Sequence, residues 1–127
     1  MEWLAVTTVL ALVEYLWVGG RVGMARGRYE IAAPATTGHP VFERHYRVQQ
    51  NTVEQLVVFL PALWMFGTLV DARVAAALGV VFVIGRVMYA LAYVAEPSKR
   101  SAGFLVGYLA NAVLVVGSLV GAAMALV

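Results

Sequence analysis

The side chains able to do chemistry in this 127-residue chain sit in two short polar stripes set in apolar sequence. The first is Arg47-Val-Gln49-Gln50-Asn51-Thr52-Val-Glu54-Gln55. Arg47, Asn51 and Glu54 are spaced i, i+4, i+7 and share one face of a helix. The second is Arg86, Tyr89 and Tyr93, at i, i+3 and i+7, again one face, with Arg100 following in the next connection. A guanidinium grips a carboxylate through a bidentate fork, a glutamate accepts an ammonium, and amides pair with peptide groups. The set therefore suits a ligand with more than one carboxylate, an amine and peptide bonds. No Ser-His-Asp set, Gly-rich phosphate loop or paired-carboxylate hydrolase arrangement accompanies it. The absence of cysteine removes disulfides, a thiolate nucleophile and Cys-based metal sites. His39 and His45 lack carboxylate or histidine partners at ligand spacing, so no metal is expected. A net charge of +2 is too small to point to nucleic acid.

The elements that must position these residues are membrane spans. The chain is 62% hydrophobic and 13% charged, against about a quarter charged in average protein sequence. The missing polar surface makes sense if the outer solvent is lipid. Four apolar stretches stand out, from about Trp3 to Gly20, His45 to Val70, Val74 to Ala95 and Ala102 to Val127. Each can supply the roughly 20 apolar residues a spanning helix needs, and no period-2 barrel pattern appears. The expected fold is all-α, a four-helix transmembrane bundle in one domain over residues 1–127, with helices at about 3–24, 43–70, 74–96 and 101–126. The first stretch is read as a retained helix and not a signal peptide, because Met1-Glu2-Trp3 is acidic and no small-residue cleavage site follows. Residues 21–44 form the one long connection, where Pro34, Gly38 and Pro40 break helix. Asp71 and Arg73 mark a tight turn, and Glu96 to Ser101 joins the last two helices.

Arg21, Arg26, Arg28, Arg44, Arg47, Lys99 and Arg100 all fall on one membrane side if there are four spans. The positive-inside rule makes those connections cytoplasmic and turns both termini outward. With antiparallel neighbours, the start of the second helix, the end of the third and Arg100 lie at one depth. The two stripes can line one pocket, within a chain or across a subunit contact. A blander reading has Arg47 and Arg100 anchored to lipid phosphates, Tyr89 and Tyr93 as interfacial aromatics, and Glu54 paired with Arg86. Asn51, Gln49 and Glu54 are no use as lipid anchors, which favours a site for the set as a whole. Glu14, alone in the first helix, is expected to pair with an interior partner such as Arg86, because an unpaired charge inside a span costs about 3 kcal/mol or more.

The run from Pro34 to Glu54, with Thr36-Thr37-Gly38-His39-Pro40 and Phe42-Glu43-Arg44-His45-Tyr46-Arg47-Val48-Gln49-Gln50-Asn51, closely resembles the first-loop and second-helix motif of the MAPEG family, the membrane-associated proteins of eicosanoid and glutathione metabolism. The likeness is greatest to its leukotriene C4 synthase and bacterial microsomal glutathione transferase-like branch. Gly85-Arg86-Val-Met-Tyr89-Ala-Leu-Ala-Tyr93, with Arg100, is the second match; the first and fourth helices agree only in length and hydrophobicity. The resemblance implies a homotrimer binding glutathione, as cosubstrate, between subunits near the cytoplasmic face. It would place Arg47, Gln49, Asn51 and Glu54 on the glutathione peptide and its termini, with Tyr89, Tyr93 and Arg26 also in contact. Arg100 matches the arginine that stabilises the glutathione thiolate, which would attack a lipophilic small-molecule substrate arriving through the bilayer. Three departures stand out. Gly27 replaces a second arginine of the leukotriene branch, Gln55 replaces a tyrosine, and Arg100-Ser101 resembles the prostaglandin E synthase branch. A general glutathione transferase or peroxidase activity is therefore expected, with no leukotriene substrate assigned. The alternatives are a non-catalytic lipid-binding member of the family and a small transporter or channel; the latter is opposed by the absence of broken helices and repeats. The Arg-rich, Ala-, Gly- and Val-rich composition points to a bacterial inner membrane.

Overall fold

The computed structural model describes residues 1–127. It contains four long helices, α1 (Glu2–Arg28), α2 (Pro40–Leu69), α3 (Ala72–Ala95) and α4 (Ser101–Leu126), with one short 3-10 turn at Pro97–Lys99. All four helices are long and apolar enough to cross a membrane. Their outward surface carries side chains such as Leu16, Val57 and Leu119, each about 70% exposed, which belong against lipid tails.

The long connection is shorter than the sequence suggests. α1 continues through Arg28, because nothing before Tyr29 interrupts the backbone ladder and Gly23 and Gly27 are tolerated within it. Pro40 opens α2 where it was expected to break helix. Its fixed φ suits the first helical position and its missing N–H is not needed there. His39 caps this start, Nδ1 accepting from the Val41 N–H at 3.1 Å. Asp71 ends the α2–α3 turn in the same way, its Oδ1 accepting from the N–H groups of Arg73 and Val74 at 2.8 and 2.9 Å. A two-residue connection of this kind forces α2 and α3 to run antiparallel.

Lipid gives apolar helices no hydrophobic reason to associate, so close packing and interhelical hydrogen bonds must do it. The stacked rings of Phe59 and Phe82, 4.0 Å apart, join α2 to α3 in the largest buried cluster. The Trp64 indole donates to Thr8 Oγ1 at 2.9 Å, tying α2 to α1. Ser118 of α4 donates to Leu114 O of its own helix at 2.7 Å, with Ala62 O of α2 at 3.3 Å from the same hydroxyl. α4 carries two Gly-x-x-x-Gly pairs, Gly103/Gly107 and Gly117/Gly121. The first lies on the backbone of α3, and a Cβ on Gly103 would meet Tyr89 N, with Tyr89 Cα at 2.8 Å and Gly85 O at 2.9 Å. The second receives the Phe66 ring and the end of α2.

Backbone atoms cannot move aside as a side-chain tip can. Gly103→Val should therefore cost about 1–3 kcal/mol and lower the thermal midpoint in detergent, whereas Ala102→Val on the exposed side of the same turn should leave it unchanged. Equal midpoints for the two variants would show that the α3–α4 approach is looser than described.

Candidate functional site

The largest cavity, about 520 Å³, opens where the first half of α2, the second half of α3 and the start of α4 meet. Asn51, Glu54 and Gln55 reach it from α2, Arg86 and Tyr89 from α3, and Arg100, Ser101, Phe104 and Leu105 from the α3–α4 connection and α4. Its volume lies within the roughly 300–1,000 Å³ usual for small-molecule sites.

Arg86 is the wall that holds the others. It is 1% exposed, and its Nη2 donates to Thr52 Oγ1 at 2.9 Å. Thr52 in turn donates to Val48 O one turn back at 2.7 Å, so its lone pairs face the guanidinium. The guanidinium lies over the Tyr89 ring, 4.1 Å from its centroid. The Tyr89 hydroxyl accepts from Asn51 Nδ2 at 2.6 Å. One chain of contacts thus runs Val48–Thr52–Arg86–Tyr89–Asn51, crossing twice between α2 and α3. Glu54 is exposed at the cavity mouth and Arg100 is exposed opposite, its Nη1 donating to Pro97 O at 2.9 Å.

The expected ion pairs of Arg86 do not form. Salt bridges occur only between the N-terminus and Glu2 and between Lys99 and Glu96. Glu14 is 5% exposed, and its Oε1 and the Arg86 Nε are both buried without a hydrogen-bond partner. Thr52, which the sequence reading gave no role, supplies the direct contact, because a hydroxyl on α2 is nearer than a carboxylate on α1.

Four residues of the expected set lie outside this cavity in the single chain. The Arg26 Nη1 donates to Ile31 O at 3.3 Å and Ala35 O at 2.8 Å, and its guanidinium covers the Phe42 ring at 4.8 Å. It lines a separate depression with Gly23, Gly27 and Glu30. Arg47 points outward as an exposed side chain. Gln49 lies against α1 at Gly19, whose added Cβ would sit 3.1 Å from its Nε2. The Tyr93 ring lies tilted against that of Tyr89, centroids 5.5 Å apart, one turn further on.

Gln55, Ser101, Phe104 and Leu105 line the cavity without having been expected there. Phe104 and Leu105 follow Arg100 and Ser101 by one helical turn, a spacing that was available to find them. Gln55 also borders a second, mainly apolar cavity of about 340 Å³ with Val58, Tyr108, Asn111, Val115 and Val116. Asn111 Nδ2 donates to the Gln55 side-chain oxygen at 3.3 Å, fixing that amide between the two spaces. An asparagine within the otherwise charge-free α4 was the signal for this contact.

Comparison with known proteins places this geometry in context. The MAPEG family model matches residues 4–120. The chain is 48% identical over 117 residues to an uncharacterised protein of Synechocystis, covering 92% of this chain and 85% of that one. It is 39% identical over 101 residues to human microsomal glutathione S-transferase 2, covering 80% and 69%. Bovine leukotriene C4 synthase is 34% identical over 99 residues, 78% of this chain and 66% of that enzyme.

If Glu14 and Arg86 balance each other's charge, removing one alone leaves a buried charge uncompensated. Arg86→Met should destabilise the detergent-solubilised protein by about 3–5 kcal/mol. Combining it with Glu14→Leu should recover part of that loss, a coupling of about 1–3 kcal/mol. Strictly additive losses in thermal unfolding would rule the coupling out.

Proposed function

The chain belongs to the MAPEG family, an integral multi-pass membrane protein, and from that premise we propose that it is a glutathione transferase joining glutathione to lipophilic electrophiles. The observation that carries this reading is the composition of the 520 Å³ cavity. Glutathione has two carboxylates, one ammonium and two peptide groups. Glu54 complements the ammonium, the Asn51 and Gln55 amides complement the peptide groups, and the Arg100 guanidinium complements an anionic sulfur, which leaves the carboxylates to Arg26 and Arg47. Relatives named as a glutathione S-transferase and a leukotriene C4 synthase support the same class.

In the proposed reaction Arg100 faces the cysteinyl sulfur. A free thiol has a pKa of about 8.5, and a guanidinium at the cavity edge favours the thiolate. The thiol proton leaves to water, the sulfur forms a bond to an electrophilic carbon, and the displaced group departs with its electron pair. The apolar cavity beyond Gln55 suits the hydrocarbon part of that acceptor. Peroxide reduction by the same thiolate is a second activity to assay. The basic connections are assigned to the cytoplasm, both termini to the outside, and the chain to a bacterial inner membrane.

We further assign the functional unit to a homotrimer whose sites lie between subunits. Arg26, Arg47, Gln49 and Tyr93 would then complete the pocket from a neighbour or on trimer formation. In support, none of the four lines the single-chain cavity.

Purified protein should conjugate glutathione to an activated aryl halide. Arg100→Ala should lower kcat by about 100-fold and abolish the ultraviolet thiolate absorbance, while Asn51→Ala should act chiefly on the KM for glutathione. No conjugation by the wild type, or an Arg100→Ala rate equal to it, would defeat the proposal.

A further inference from the structure

A third cavity, about 300 Å³, lies between the end of α1 and the start of α2 and shares no residue with the glutathione pocket. Arg21, Arg28, Tyr29 and His45 supply its polar wall, and Met24 and Val41 its apolar one. No aspartate or glutamate lines it, and neither arginine takes part in a salt bridge. The Arg21 Nη1 is buried without a hydrogen-bond partner. Such a donor is uncommon in folded protein.

Each guanidinium lies over an aromatic ring. Arg21 lies over the Trp17 ring at 4.9 Å and Arg28 over Tyr29 at 5.6 Å. A cation–π contact supplies no lone pair, so the N–H groups remain available for an acceptor. Arg21 and Arg28 are two helical turns apart on one face, about 10 Å along the axis. Two arginine side chains are long enough to span that separation onto one group, and His45 of α2 lines the same cavity. An acceptor met from three directions needs oxygens that diverge. A phosphate has them, whereas a carboxylate offers two in one plane.

We propose that this cavity binds a phosphate group, at the membrane boundary that also carries the basic connections. Two sources supply that chemistry, the headgroup of an anionic phospholipid and a soluble phosphate. Trp17, 37% exposed, and Met24, 76% exposed, lie on the same stretch of α1, beside which an acyl chain would run.

The test uses the full-length protein, delipidated in a neutral detergent, with binding read by native mass spectrometry and by thermal shift. The ligands are phosphatidylglycerol, phosphatidylcholine and inorganic phosphate. Phosphatidylglycerol should bind the wild type at least tenfold more tightly than the Arg21→Gln/Arg28→Gln variant, with phosphatidylcholine showing no difference between them. A shift by inorganic phosphate that is lost in the variant, without preference for phosphatidylglycerol, assigns the site to a soluble phosphate and also upholds the proposal. Equal binding of phosphatidylglycerol to both proteins, with no effect of phosphate, overturns it. Should the double variant fail to fold, Arg21→Lys keeps the charge and loses the fork. Phosphatidylglycerol binding should then weaken severalfold, and unchanged binding is again decisive against the site.

Discussion

A guanidinium in the middle of an apolar bundle constrains everything around it. Arg86 is almost wholly buried, and an intramembrane charge is retained only where protein groups replace the water it lost. Those groups come from more than one helix. Thr52 accepts from it across the α2–α3 contact, Tyr89 offers a ring face from one turn along α3, and Glu14 is the buried carboxyl on α1. Rotating α2 or α3 by a fraction of a turn would strand the charge. The register of the two helices is therefore set by one side chain, and the same register brings Asn51 to the Tyr89 hydroxyl and both to the cavity wall. The stabilising chain and the cavity wall share Asn51, Arg86 and Tyr89.

The remaining helix is held by different means. α4 contains no charged residue and meets the bundle through glycines, a serine and an asparagine. Gly103 and Gly107 let it lie against the α3 backbone near the cavity, while Gly117 and Gly121 accept side chains from the end of α2. In lipid this is sufficient, because dispersion at close approach and a few interhelical hydrogen bonds have no hydrophobic competitor. Arg100, Ser101, Phe104 and Leu105 thus reach the cavity on a helix positioned by packing, and Asn51, Glu54 and Tyr89 on helices positioned by polar contacts.

Much of this was legible in the amino-acid sequence, and the limits have physical causes. Four spans follow from composition. The meeting of Asn51 and Glu54 with Arg86, Tyr89 and Arg100 follows from helical spacing and a short α2–α3 turn. Pro40 misled because a proline's meaning depends on whether it stands at the first position of a helix or inside one. The partner of Arg86 was sought among carboxylates, since charge is conspicuous in an apolar sequence; Thr52 was overlooked because a threonine in a span usually bonds its own backbone, which this one also does. The glycine pairs of α4 were passed over because their value lies in what approaches them. Arg26, Arg47, Gln49 and Tyr93 lie outside the single-chain cavity, and helical periodicity says nothing about what a second chain would bring.

Gln55 stands in the wall of two cavities, one lined by ionic and amide groups and the other by aliphatic side chains. With Asn111 holding its amide in place, the chain keeps a fixed frontier between two dielectrics only a side chain thick. One side presents charged groups and hydrogen-bond donors, and the other presents mainly apolar side chains. Water and bilayer meet everywhere along a membrane, but in a disordered layer many ångströms deep; here that meeting is narrowed to a single amide.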